Sequence, residues 1–284
     1  MVFVTLLWST AGVVTRQLES AGSFEVTFWR SAFALLALGL YFGAIHGRTA
    51  FVQIRRGGRS LWLSGAMWSV MFTCFMVALT LTSVANVLIT MSVAPLVTAV
   101  LARFMLGQPV ARHTWLAIVV AGLSIAWMYG HNLNADPQSI VGTIVALGVP
   151  IAAAINWNTL QRQGDRVDLV PALLIGALVS SLATLPLSLP FAASVRDIAL
   201  LAVLGIFQLA VPCVLAVRLA SRLPAPEIAL LALLEVVFGI AWAWWGAGEV
   251  PSTQILMGGA VLMGVLVLSE WWGWRIAPRR ATVS

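Results

Sequence analysis

Between Arg59 and Arg103 the chain runs for 43 residues without one Asp, Glu, Lys or Arg. A helix rises about 1.5 Å per residue, so about 20 apolar residues cross a bilayer's hydrocarbon core. The stretch is too long for one crossing and suits two, with a turn near Leu81 to Val84. An aqueous domain surface needs about a quarter of its residues charged, yet only 9% of these 284 residues are charged and 61% are hydrophobic. A soluble globular enzyme is excluded.

Other uncharged runs, Pro137 to Gln161, Leu169 to Val195 and Val250 to Ser269, each fit one helix. With the interrupted segments they give ten spans, at about 1–17, 24–46, 60–80, 84–106, 113–131, 139–161, 169–191, 197–218, 226–247 and 253–274. The expected class is an all-α membrane protein with ten transmembrane helices and almost no mass outside the bilayer. The opening MVFVTLLWSTAGVV lacks the basic region and cleavage site of a signal peptide. It reads as the first membrane helix; whether its start is shortened stays open.

The net charge of +6 is carried entirely by arginine, since the chain has no lysine. The arginines stand singly or in short groups between apolar runs, which is topology charge and not a nucleic-acid face. Cytoplasmic loops retain excess Lys and Arg. With both termini inside, Arg48, Arg55, Arg56, Arg59, Arg103, Arg112, Arg162, Arg166, Arg218, Arg222, Arg275, Arg279 and Arg280 lie inside, leaving only Arg16, Arg30 and Arg196 outside. The expectation is a multi-pass protein of the inner (plasma) membrane with cytoplasmic termini. Trp62, Trp115, Trp127, Trp244 and Trp272 fall near helix ends, where indoles suit the headgroup level. Trp8, Trp68 and Trp157 fall inside spans.

Cut near His131 to Asp136, the chain repeats itself. ANVLITMSVAPLVTAVLARFMLGQPV from Ala85 parallels PEIALLALLEVVFGIAWAWWGAGEV from Pro226, with Gly107-Gln108 matching Gly248-Glu249 at an offset of 141. Five helices per half is odd, so the second half, about 139–276, inserts upside down relative to the first, about 1–131. Inverted repeats around a midplane site mark transporters.

Here the residues resemble the EamA family of the drug/metabolite transporter superfamily. The matching pieces are LLWSTAGVV from Leu6, FWRSAFALLAL from Phe28, APLVTAVLARFMLGQ from Ala94, and LLALLEVVFG with WWGAGEVPSTQILMGGAVLMG between Leu230 and Gly264. Two positions depart from the family pattern: Gly-Glu after the fourth helix is Gly107-Gln108, and Leu-Glu-Pro in the ninth is Leu234-Glu235-Val236. Within the family, the Trp-rich, lysine-free character looks most like YddG-type exporters of aromatic amino acids and related metabolites. The resemblance implies a secondary transporter working by alternating access on a small-molecule substrate.

Intramembrane polar groups are the site candidates. Glu235 lies deep in a helix, where a carboxyl is costly unless paired or neutral; it serves proton coupling or a substrate amine, or it is a packing hydrogen bond. Protons are accordingly the candidate coupling ion. Asn156 and Asn158 flank Trp157 and point about 200° apart, so they cannot both line one cavity. Thr90 belongs to a weakly polar stripe with Asn86, Ala94 and Thr98 that faces a cavity or a neighbouring helix. The expected substrate contacts are Trp8, Trp68, Thr90, Asn156, Trp157 and Glu235, with Pro95 and Pro212 as hinges. Arg30 reads as a loop-level ion pair at the mouth of the second helix, beside Arg16, Glu19 and Glu25.

No cations are expected in the core, which disfavours phosphate esters and suits uncharged or zwitterionic molecules with apolar side chains. His46, His113 and His131 form no HExxH or other metal spacing, and Cys74 and Cys213 no CxxC. No metal or cofactor is expected. An ATP-driven pump lacks its GxxxxGK[ST] loop, and an intramembrane enzyme lacks its nucleophile and base. The leading expectation is export of small amphipathic metabolites, aromatic or hydrophobic amino acids foremost. The alternatives are efflux of multiple drugs or hydrophobic cations, with Glu235 as the cation's partner, and a non-transporting membrane scaffold.

Overall fold

The computed structural model describes residues 1–47, 54, 57–107, 112–130, 136–163, 169–220, 232 and 234–276. Among them the first three spans are α1 (Val2–Thr15), α2 (Ser23–His46) and α3 (Gly58–Leu81). The fourth is split into α4 (Val84–Met91) and α5 (Ala94–Leu106), and α6 (Arg112–Gly130) closes the first half. The second half comprises α7 (Pro137–Gln163), α8 (Pro171–Ser188), a composite eighth span, α11 (Leu234–Ala247) and α12 (Thr253–Ile276). In the eighth span, α9 (Val195–Val203) runs through a π-helical turn (Leu204–Ala210) into α10 (Val211–Ala220). Seven of these spans are long and apolar enough to cross a bilayer, and shorter apolar helices take the other three positions. The expected start of the ninth span, 226–233, lies outside the described residues apart from Ala232.

The turn after α3 is set by Ser83, whose hydroxyl accepts a bond from the Asn86 amide and caps α4. Two breaks have proline chemistry behind them. Pro95, in the first turn of α5, has no N–H for the Met91 carbonyl, and α4 ends there. Pro212 likewise cannot serve the Gln208 carbonyl. The helix widens before it, so that the Val211 amide bonds back to Ile206.

Packing follows a two-fold pattern. The first span packs on the ninth as the sixth packs on the fourth; the third packs on the seventh as the second packs on the eighth; the fifth and tenth pack together. Exchanging each span for its counterpart five places on leaves that list unchanged, which is the architecture of two inverted five-helix repeats. The cap glycines repeat too: Gly107 and Gly248 both adopt left-handed φ, +68° and +66°. Spans meet at small residues, as membrane helices do. A Cβ on Gly176 would sit 2.6 Å from the Trp68 Cβ, and one on Gly239 2.3 Å from Leu88 Cδ1. Leu36, Leu40, Leu116, Leu123, Ile144 and Leu182 are exposed toward the lipid, and so are Trp62, Trp115, Trp127, Trp244 and Trp272.

The arginine-poor end of the bundle is tied shut by charged groups on helix termini. Glu249 accepts from the Val84 amide at the start of α4 (2.7 Å) and from Arg16 Nε (2.9 Å), while Arg16 donates to the Leu79 and Thr82 carbonyls at the end of α3. Asp197, in a capping box with Ser194, also gathers the amides of Glu19, Ser20 and Ala21. Glu25 accepts from the amides of Ala192 and Ala193. Arg196 pairs with Glu19.

Candidate functional site

Arg30 lies seven residues into α2, roughly 10 Å from its start at 1.5 Å per residue. The sequence reading put it at loop level in an ion pair, and the structure corrects this. Its side chain is 2% exposed, inside the bundle, and no carboxylate among the described residues is in ion-pair contact with it. The expectation of a core without cations falls with it. Burial follows from close helix contact, because a Cβ on Gly205 would stand 2.5 Å from the Arg30 carbonyl oxygen. The eighth span therefore presses onto the second, and the guanidinium meets the π turn instead of the aqueous end.

There Arg30 Nε and Nη2 both donate to Gln208 Oε1, at 3.1 and 2.8 Å. Gln208 Nε2 in turn donates to the Trp8 carbonyl at 3.1 Å. The guanidinium carbon stands 5.7 Å from the Phe75 ring centroid. Cys213, one turn beyond Gln208, is buried in the same apolar cluster that Trp8 packs against. Glu235 is half-buried in the first turn of α11, within electrostatic reach of Arg30 but outside ion-pair contact. Beside Arg30, Ser31, Ser180 and Thr73 join the second, seventh and third spans through a hydroxyl chain of 3.0 and 2.9 Å.

The remaining expected residues form an adjoining group. Trp68 is 2% exposed with its indole nitrogen unpartnered, and its ring meets Trp157 edge-on at 6.2 Å. Asn156 is fully buried; its Oδ1 accepts from Ser64 Oγ at 2.6 Å and its Nδ2 is unpartnered. Asn158 points to the fourth span, donating to the Thr98 carbonyl. Thr90 is buried in α4. Trp8 and Trp68 pack into one apolar cluster with Phe72, Leu209 and Cys213, which joins the two groups. Trp8 and Trp68 thus share an apolar cluster, Trp157 meets Trp68, and Asn156 binds Ser64 one turn before Trp68, while Glu235 is related only at longer range to Arg30 and Cys213; Pro95 and Pro212 stand at the two helix breaks.

Arg30, Gln208 and Cys213 were not among the expected site residues. A signal for Gln208 existed, an amide inside an otherwise apolar run four residues before a proline. Among the described residues no group of three or more His, Cys, Asp or Glu could hold a metal ion.

The EamA-like transporter family matches the chain twice, over residues 1–130 and 140–270. The chain belongs to this family. Similar curated proteins are S-adenosylmethionine uptake transporters of Rickettsia prowazekii (strain Madrid E) and Rickettsia conorii (strain ATCC VR-613 / Malish 7). Each is 25% identical over 254 residues, covering 85% of this chain and 80% of the relative. That of Rickettsia felis (strain ATCC VR-1525 / URRWXCal2) is 25% identical over 255 residues, with the same coverage. A solved crystal structure shares the fold, with a TM-score of 0.65 at 17% identity over 96% of both chains. The protein is therefore a multi-pass EamA-like membrane transporter acting on a small-molecule substrate.

Proposed function

We propose that this EamA-like transporter exports small amphipathic metabolites with an amino-acid head group across the inner membrane by alternating access. The observation that carries the reading is Glu235, a half-buried acid in the first turn of α11 that acts electrostatically on Arg30 and has no ion-pair partner among the described residues, in a bundle whose interior also holds Trp8, Trp68 and Trp157. A carboxylate there suits a substrate ammonium, and indole walls suit an apolar or aromatic side chain. Protons are the coupling ion in this reading, with Glu235 carrying them in the half-cycle without substrate. The arginine count supports cytoplasmic termini, and in that orientation the end tied by Glu249, Asp197 and Glu25 faces outward.

A second reading has a specific support. The relatives are named for S-adenosylmethionine uptake, and that molecule joins an amino-acid head to a sulfonium and an aromatic base. Counterflow in proteoliposomes separates the readings. Aromatic amino acids, S-adenosylmethionine and a hydrophobic cation are offered in turn, with and without a proton gradient. Exchange of amino acids supports the proposal; exchange of S-adenosylmethionine alone replaces it with the second reading. Exchange of the cation alone points to multidrug efflux, and no exchange at all leaves a non-transporting scaffold.

A further inference from the structure

A buried guanidinium in a membrane span is costly, and Arg stays charged in proteins. Arg30 meets that cost with partners that are all neutral: the Gln208 carbonyl and the Phe75 ring. Glu235 is the acid that acts on it, from beyond contact. The hydrogen bonds are also one-sided. Gln208 occupies the edge formed by Nε and Nη2, and Nη1 is buried with no partner. The end edge, made by Nη1 and the second hydrogen of Nη2, stays unsatisfied, and it is the edge with which arginine takes a carboxylate through two parallel bonds.

The surroundings hold the group in place. Gln208 belongs to the π turn and is anchored to the Trp8 carbonyl, and Gly205 brings that turn against α2. A guanidinium held by a neutral amide on one edge and left unpaired on the other keeps the capacity to take an anion from outside the chain. The unpaired edge of a buried charge carries a desolvation cost that nothing in the fold offsets and that an incoming anion would recover.

We infer that Arg30, positioned by Gln208, is the receptor for the carboxylate of the transported molecule. The inference rests on the amino-acid-head reading above and adds its second pole: Glu235 for the ammonium, Arg30 for the carboxylate. The substrate class narrows accordingly from amphipathic cations to α-amino acids and their derivatives with a free carboxylate.

The test is counterflow in proteoliposomes with matched pairs: L-tryptophan against tryptamine, and S-adenosylmethionine against its decarboxylated form. Wild-type protein is expected to exchange at least one carboxylate-bearing member and to favour it over its partner about tenfold or more, as a hydrogen-bonded charge contact supplies. Arg30→Gln is expected to erase that preference, with the decarboxylated member nearly unaffected. Gln208→Glu guards against misfolding, because it sets a carboxylate of the same shape on the Nε–Nη2 edge and neutralises the guanidinium from within, an ion pair that offsets the lost bond to the Trp8 carbonyl. It is expected to melt at or above the wild-type temperature while losing exchange of the carboxylate-bearing compound about tenfold.

Wild-type preference retained in Arg30→Gln, or full exchange of the carboxylate-bearing compound by folded Gln208→Glu, overturns the inference and leaves the amino-acid-head reading standing. Wild-type exchange of only the decarboxylated members, or of neither member of either pair, overturns both.

Discussion

Arg30 and Glu235, a base and an acid inside one bundle, do not touch. Ionising both groups while they stand apart costs more than a closed pair, because each pays its desolvation without contact attraction in return. A substrate bearing both signs would fill the gap from both sides. If Glu235 also carries the coupling proton, Glu235→Gln should abolish the response of transport to a pH gradient and leave substrate exchange measurable. Exchange requires binding and reorientation but no net proton movement. The check is radiolabelled exchange and gradient-driven flux in the same vesicle preparation. A variant with wild-type expression, exchange and gradient response removes Glu235 from coupling and leaves a facilitator driven by concentration alone. A pure packing role would instead keep gradient dependence and move only the melting temperature.

The element scale is where the breaks at Pro95 and Pro212 act. Pro212→Ala restores an N–H to the Gln208 carbonyl, so the π turn should tighten to α register and rotate Gln208 away from Arg30. Thermal stability should hold or rise while transport falls several-fold, as measured by melting in detergent and uptake in vesicles. Glu249→Gln tests the other kind of element contact. It weakens the charged bonds to Arg16 and to the Val84 amide, a loss of about 1–2 kcal/mol for partly exposed partners. It also makes the position match Gln108 in the first repeat. Double electron–electron resonance between spin labels on the loops of that end should show a larger open fraction. The spans were legible at this scale because uncharged runs mark them, whereas their ends are fixed by local caps such as Ser83, Gly107 and Gly248 that the run lengths alone do not reveal. The π turn was not legible, since a proline indicates a break but not how the preceding turn responds. Arg30 was misplaced for a related reason. Distance along its own helix says nothing of the glycine on the eighth span that draws it inward.

At the scale of the whole molecule, the repeat found at an offset of 141 reappears as paired helix contacts, and five helices per half demand the inversion. Which side of the membrane each end faces rests on the arginines. Asn134→Cys should react with an impermeant maleimide from outside intact cells and Gly57→Cys only after permeabilisation; the reverse pattern inverts the topology. The sealed end has a further property. Its loops are held by carboxylates on backbone amides, Asp197 on Glu19, Ser20 and Ala21, and Glu25 on Ala192 and Ala193. Such amides lose their only acceptor when the two loops part, whereas amides within helices keep theirs. Deuterium uptake at these five positions should therefore report each opening of the gate against a slow background, and should quicken when a transported substrate is supplied on both sides of the vesicle membrane. If these loops part in each cycle, their own amides count transport cycles without a label.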